Sequence, residues 1–100
     1  MVKYRFTNKA INDLDEIWNY TSIKWSEVQA DTYYRLLVDS CRKITGKSVL
    51  YKKYPIIRDD LFGLRAGHHI IFYRRLENED IEIVRILHEQ MDLKNRIKDK

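Results

Sequence analysis

The segment that most constrains the fold is a pair of β-rich runs near the C-terminus, separated by a short charged stretch. The first run spans residues 69–74 and the second spans residues 81–87, and Asn78 between them is a favoured turn residue. This pattern predicts an antiparallel hairpin. The second run carries five aliphatic residues with only Glu82 and Arg85 between them, which is too apolar for a strand with one solvent-exposed face. It is therefore predicted to be an inner strand, covered on both sides.

The chain before this hairpin begins with a strand pattern and then changes to helical periodicity. Apolar and polar residues alternate over residues 2–7, which predicts an N-terminal strand. An apolar stripe then recurs every three to four residues from about Asn8 to about Lys24, with Thr7 or Asn8 as the N-cap. Ser26 and Gln29 form a capping box that predicts the start of a second helix.

Two helices joined by almost no linker are expected to fold back on each other and to place their apolar stripes on a sheet. Residues 61–66 predict a short strand with Arg65 near its end, and Gly67 predicts the turn into the terminal hairpin. The predicted class is α+β with the order β-α-α-β-β-β: an antiparallel-rich sheet with the N-terminal helical hairpin packed on one face. The length of 100 residues predicts a single domain over residues 1–100.

Composition excludes several classes of protein. A hydrophobic content of 44% with only three glycines and one proline is incompatible with a disordered chain. The single cysteine, Cys41, excludes an internal disulfide, and its place on the stripe of the second helix predicts core packing. No apolar run approaches the roughly 20 residues that a membrane helix needs. Since no charged-then-apolar leader is visible either, we expect a cytoplasmic protein.

The charge is distributed unevenly along the chain. Residues 8–31 hold two basic and five acidic side chains, a net charge of −3, and Asp13, Asp15 and Glu16 are expected on the solvent face of the first helix. Residues 41–75 hold nine basic and two acidic side chains, a net charge of +7. The basic half would attract nucleic acid or an acidic protein segment, and a solvated basic surface explains the pattern equally well.

Three side chains near strand ends are candidates for chemistry. Guanidinium groups of Arg65 and Arg85 can hold a phosphate, and the His88 imidazole can move a proton near neutral pH. That set is a minimum for cleaving RNA through its own 2′-hydroxyl, and equally for binding a carboxylate. The alternative is structural, with Arg85 paired to an acidic group such as Glu82 or Asp60.

The sequence predicts neither a metal site nor a bound cofactor. His68 and His69 are neighbours in a predicted strand and are expected to point to opposite faces, so they would not converge on one ion. Neither Cys41 nor Ser48 is specifically paired with a histidine, and the chain contains no glycine-rich phosphate loop.

Four motifs together resemble the RelE/ParE superfamily of bacterial type II toxins, and within it the ParE branch. They are T-N-K-A-I-N-D-L-D-E-I-W-N-Y at 7–20, W-S at 25–26, G-H-H-I-I-F-Y-R at 67–74 and I-E-I-V-R-I-L-H-E-Q-M-D at 81–92. The resemblance implies a small toxin that a cognate antitoxin sequesters, and it allows a higher-order toxin–antitoxin complex. ParE-like toxins poison DNA gyrase without being enzymes, whereas RelE-like toxins cut mRNA in the ribosomal A site.

The resemblance also implies roles for particular residues. Arg65 and Arg85 match strand arginines that the RNase members use, whereas the tyrosine usual after the last strand is absent. His88 lies close to the place where some RNase members have a histidine. The interpretation that follows is a gyrase-inhibiting toxin without committed catalytic residues. The alternatives are a ribosome-dependent mRNA endoribonuclease and a non-toxic homologue that only binds antitoxin. The expected toxicity surface consists of Arg65, Arg85, His88, Met91 and Asp92.

Overall fold

The structure is a computed structural model, and it describes residues 3–44, 52–53 and 60–90. Seven elements follow one another along the chain: β1 (Tyr4–Phe6), α1 (Asn8–Lys24), α2 (Glu27–Ile44), β2 (Lys52–Lys53), β3 (Phe62–Ala66), β4 (His69–Arg75) and β5 (Ile81–His88). The α+β class and the predicted order are confirmed. The added element is β2, a two-residue strand without a sequence pattern of its own.

The five strands form one mixed sheet in the order β1-β5-β4-β3-β2. β5 pairs in parallel with β1 and antiparallel with β4, so the prediction of an inner strand is confirmed. β3 also pairs antiparallel with β4, and β2 with β3, so the sheet is antiparallel-rich as predicted.

Local chemistry sets the start of each helix. The hydroxyl of Thr7 accepts the N–H of Ala10 at 3.1 Å, which caps α1. The hydroxyl of Ser26 accepts the N–H of Gln29 at 3.1 Å at the start of α2, as the capping box predicts. Both helices therefore begin where the sequence places them, and their buried residues lie against the sheet.

Both faces of the sheet carry apolar clusters at β5. On the helix side, Ile81, Ile83 and Ile86 pack with residues of α1 and α2, including Leu37. On the opposite face, Leu87 packs with Leu61 and Phe72, and Val84 is partly buried against them. The strand is thus covered on both sides, as its composition predicts.

The pairing of β4 with β5 contains a β-bulge. Phe72 pairs with Arg85, whereas the next residue, Tyr73, pairs with Ile83, so Val84 is an extra residue on β5. An extra residue reverses the alternation of side chains beyond it.

Two further sequence predictions concern the core and the membrane. Cys41 is buried on the stripe of α2, and burial raises the pKa of its thiol to about 12, so the predicted packing role is confirmed. Among the described residues, neither helix combines the length and apolar character that a bilayer crossing requires.

Candidate functional site

The end of the sheet where β4 begins and β5 finishes gathers three imidazoles. His69 and His88 are directly paired across the two strands, and their ring centroids lie 5.3 Å apart. His68 precedes β4 in the turn, and its ring stacks on that of His88 at 6.3 Å. The premise that His68 and His69 both lie in a strand is wrong, because His68 lies in the turn before β4; the rings of both residues lie beside that of His88.

One helix residue organises the turn that carries these rings. The hydroxyl of Tyr33 on α2 accepts the N–H of His68 at 3.0 Å and lies 2.6 Å from Nδ1 of His69. The contact with Nδ1 is a hydrogen bond whose direction follows the His69 tautomer: the hydroxyl donates when Nδ1 is unprotonated and accepts when Nδ1 carries the proton. Burial, and then the neighbouring imidazoles of His88 and His68, lower the pKa of His69 to about 4. The ring is therefore neutral at physiological pH.

The other two imidazoles are held by the chain that leaves β5. Nδ1 of His88 accepts the N–H of Gln90 at 3.1 Å. The carboxylate of Glu89 lies 3.5 Å from Nδ1 of His68. The backbone N–H of Glu89 donates to the carbonyl of His68 at 3.0 Å. These contacts place the imidazoles of His68 and His88 and the carboxylate of Glu89 together at one exposed end of the sheet.

Arg65 belongs to the same edge. Its Nη2 lies 3.0 Å from Oε1 of Glu89, and 69% of the Arg65 side chain is exposed. Through Glu89, Arg65 is linked to His68, beside the ring of His88. The sequence thus placed Arg65 and His88 correctly at one end of the sheet.

Arg85 is engaged elsewhere, in an ion pair with α1. Its Nε donates to Oδ2 of Asp13 at 2.8 Å and its Nη2 donates to Oδ1 at 2.9 Å. The two side chains are only 14% and 6% exposed. The structural alternative, in which Arg85 pairs with an acidic group, is therefore found, but the partner is Asp13 and not Glu82 or Asp60, which both contact Arg74. The Asp13 hydrogen bond is the main cause that raises the pKa of the Arg85 guanidinium, so Arg85 stays charged.

The expectation that Asp13 lies on the solvent face of α1 is also wrong. Asp13 is buried, and its position is three residues after Ala10 and four before Ile17, within the apolar stripe. That spacing is a signal that was available in the sequence. Tyr33, the other functional residue that sequence reasoning missed, lies on the stripe of α2, where it resembled an ordinary core aromatic.

A groove of about 1050 Å³ runs from the turn between the two helices to the three imidazoles. Its walls are largely apolar and include Ile17, Tyr20, Trp25 and Leu36. Other residues that line it are Asp13, Glu16, Arg85, His69 and His88. Two carboxylates against one guanidinium do not make it basic, so an acidic partner is not attracted by the described lining itself.

The predicted toxicity surface is therefore split. Arg65 and His88 meet at the strand end, and Arg85 lies in the groove under α1 with its guanidinium bound to Asp13. Met91 and Asp92 lie outside the described residues. The role of all five in toxicity stays a prediction.

Within the described part of the chain, no group of three or more histidine, cysteine or acidic side chains has the geometry of a metal site. The three imidazoles are stacked and edge-on rather than convergent. What the edge offers is exposed imidazole, carboxylate and guanidinium chemistry beside an apolar groove.

Comparison with known proteins gives consistent results. The family described as ParE toxin of type II toxin-antitoxin system, parDE, matches residues 4–93. A Mycobacterium tuberculosis protein named Toxin ParE1 is 32% identical over 91 residues, which cover 91% of this chain and 93% of that protein.

Two solved structures share the fold. The chromosomal ParDE toxin–antitoxin system from P. aeruginosa contains a chain with a TM-score of 0.70 and 18% identity, covering 88% of this chain and 96% of that one. The toxin–antitoxin complex RelBE2 from Mycobacterium tuberculosis contains one with a TM-score of 0.50 and 22% identity, covering 88% and 98%.

Proposed function

Because this chain belongs to the family of ParE toxins of type II toxin–antitoxin systems, we propose that it arrests growth by inhibiting DNA gyrase and that a cognate antitoxin neutralises it. The proposal is that of a poison that stalls gyrase on cleaved DNA, acting in the cytoplasm without chemistry of its own.

The observation that carries the proposal is the extent of the family match. It covers residues 4–93, and so includes the strand and turn that present Arg85, His88 and Glu89. The relative from Mycobacterium tuberculosis is similar over nearly its whole length, which supports the assignment of the whole described chain to the toxin family.

The state of the two arginines supports a toxin that is not an enzyme. A phosphate clamp needs guanidinium groups whose donors can turn to the ligand. Arg85 directs Nε and Nη2 to Asp13, and Arg65 directs Nη2 to Glu89. Both cations are therefore partly neutralised by carboxylates, which weakens the arrangement expected for RNA cleavage.

The groove supports the antitoxin part of the proposal. It is open and apolar, with Tyr20 and Trp25 exposed at one end, and exposed apolar surface of this extent is typical of protein interaction sites. An amphipathic antitoxin segment that folds on binding would place its apolar stripe there. Acidic residues on its other side would speed capture through the exposed cations of α2, which are Arg35, Arg42 and Lys43.

One observation favours a second candidate, ribosome-dependent cleavage of mRNA. His68 is 79% exposed and lies beside His88 and Glu89, so a proton donor and a proton acceptor are within reach of one bound nucleotide. The fold is also shared with a chain of the RelBE2 complex.

A pair of assays on the same preparation separates the candidates. The toxin is purified with its antitoxin, released, and added to gyrase with relaxed plasmid, and separately to ribosomes translating a defined mRNA. We expect loss of supercoiling and accumulation of cleaved plasmid, with translation unchanged. Cleavage of mRNA on ribosomes with gyrase unaffected would replace the proposal by the second candidate. A protein that binds antitoxin but changes neither assay is a non-toxic homologue.

A further inference from the structure

The bulge in β5 is held by the segment in which β1 passes into α1. The Thr7 hydroxyl donates to the carbonyl of Val84 at 2.7 Å, and the Thr7 N–H donates to the carbonyl of Ile83 at 3.0 Å. On the other side of the bulge, Oδ2 of Asp13 accepts the N–H of Ile86 at 3.0 Å. Three backbone groups of β5 around the bulge, the carbonyls of Ile83 and Val84 and the N–H of Ile86, are thus satisfied by Thr7 and Asp13.

Asp13 makes three contacts with one carboxylate. Its two oxygens accept Nε and Nη2 of Arg85, and Oδ2 also accepts the N–H of Ile86. The carboxylate therefore fixes the side chain of Arg85, which follows the extra residue Val84. It also fixes the backbone N–H of Ile86, which pairs regularly with Ile71 of β4.

The bulge decides which face of the sheet His88 occupies. Strict alternation from Ile81 and Ile83 would place residues 85 and 87 on the helix side. Instead Ile86 packs in the helix-side cluster and Leu87 in the opposite one. His88 consequently lies on the helix side of the sheet. There it is paired across the strands with His69, which is hydrogen-bonded to Tyr33 of α2.

Stability alone does not account for the ion pair at the bulge. A buried pair of charges loses much of its attraction to desolvation, and an apolar pair of similar volume is often as stable. Buried polar groups are, however, well suited to select one register among several. The pairing of Asp13 and Arg85 spans 72 positions of the chain and coincides with the register shift.

We propose that Asp13 is a positioning residue for His88: by holding Arg85 and the N–H of Ile86 at the bulge, it sets the register that delivers the His88 imidazole to the groove between the helices and the strand end. The importance of His88 for growth arrest rests on the proposed function, whereas its placement by Asp13 does not.

The test uses the double variant Asp13→Leu with Arg85→Met, which removes the bulge contacts of Asp13 and leaves no buried charge unpaired. Asp13→Asn serves as the conservative variant, since its amide oxygen can still accept the Ile86 N–H. Asp15→Ala, at an exposed position of the same helix, is the matched control. The readout is the nuclear Overhauser effect between the ring protons of His69 and His88, with circular dichroism to verify folding.

We expect a folded double variant in which the His69–His88 contact is lost, and we expect that contact to persist in Asp13→Asn and Asp15→Ala. On expression without antitoxin, growth arrest should be lost in the double variant and kept in Asp13→Asn and Asp15→Ala. A folded double variant that keeps the contact overturns the proposal, and so does one that cannot fold, since Asp13 would then be a folding requirement only. If the ring contact is lost while the wild-type protein itself leaves gyrase and growth unaffected, the positioning role stands and the gyrase proposal fails.

Discussion

The hydroxyl of Tyr33 on α2 lies 2.6 Å from Nδ1 of His69 on β4, and it is the contact through which the helical hairpin reaches the end of the sheet. The same oxygen accepts the N–H of His68. One side chain therefore holds both the turn before β4 and the first imidazole of the strand.

The neutral state of His69 predicts a pH dependence of folding. Its pKa is lowered to about 4 in the folded protein, first by burial and then by the neighbouring His88 and His68. Asp13 on α1 and Glu89 after β5 oppose the shift without cancelling it. The unfolded chain, with an imidazole pKa near 6.5, binds the proton more readily, so the contribution of His69 to stability is complete above about pH 6.5 and is lost as the pH falls toward 4.

The measurement is the free energy of unfolding in urea at several pH values between 7 and 4. His69→Gln removes this titration, so its stability should decline less steeply than that of the wild type over the interval. His68→Gln, at the exposed neighbour, should keep most of the wild-type slope. Identical slopes for His69→Gln and the wild type would show that the imidazole is not held neutral by the fold.

Gly67 is predicted to be intolerant of any side chain. Its φ is +60°, and a Cβ atom built there lies 2.7 Å from Cε1 and from the hydroxyl oxygen of Tyr33. Gly67→Ala should lower the free energy of unfolding by at least about 1–2 kcal/mol from the left-handed backbone alone, with the clash in addition. Gly67→Asn separates the two causes, because asparagine tolerates positive φ but has the same Cβ. Urea unfolding that finds Asn as stable as Gly would exclude the clash with Tyr33.

The ion pair of Arg85 predicts a large loss of stability on truncation. Arg85→Ala leaves the Asp13 carboxylate buried without the guanidinium, and breaking a buried pair in this way costs about 3–5 kcal/mol. Arg74→Ala is the matched control: that side chain is 36% exposed although its Nε is 2.7 Å from Glu82, and exposed pairs contribute roughly 0.2–1 kcal/mol. Comparable losses for the two variants, measured by urea unfolding, would contradict the assignment of Arg85 to the core.

Loss of toxicity in Arg85→Ala can therefore follow from loss of stability alone. An Arg85→Ala protein that fails to arrest growth has first to be shown to be folded, since the substitution removes an attachment of β5 to α1. The same caution does not apply to Arg65, whose contacts are on the surface.

The elements of this fold could be predicted where their signals are local. The hairpin of β4 and β5 follows from composition and a turn residue, and Thr7 and Ser26 mark helix starts through bonds to residues three positions away. β2 carries no such signal, since two residues cannot show a period. The pairing of Asp13 with Arg85 depends on a register shift between β4 and β5, and nothing in the sequence around either residue specifies that shift.

The candidate site shows the same division between local and long-range information. The sequence predicts that Arg65 and His88 lie together because each is near the end of a predicted strand. The usual exposure of carboxylates favours a solvent position for Asp13, whereas helical spacing puts it on the buried stripe, where the structure has it. Its partner could only be recognised from the three-dimensional arrangement.

Arg65 offers a test of the toxicity surface that is independent of folding. Its side chain is 69% exposed and its ion pair with Glu89 is at the surface, so reversal of its charge should change the free energy of unfolding by no more than about 1 kcal/mol. If the strand end contacts the target, Arg65→Glu should abolish growth arrest and gyrase inhibition while antitoxin binding in the groove persists, because Arg65 does not line that groove. Arg75→Glu, at an exposed position at the other end of β4, carries the same change of charge away from the strand end. Equal growth arrest by Arg65→Glu, Arg75→Glu and the wild type would show that the target contacts a different surface, since a change of two charge units at Arg65 should weaken any docking contact that includes it.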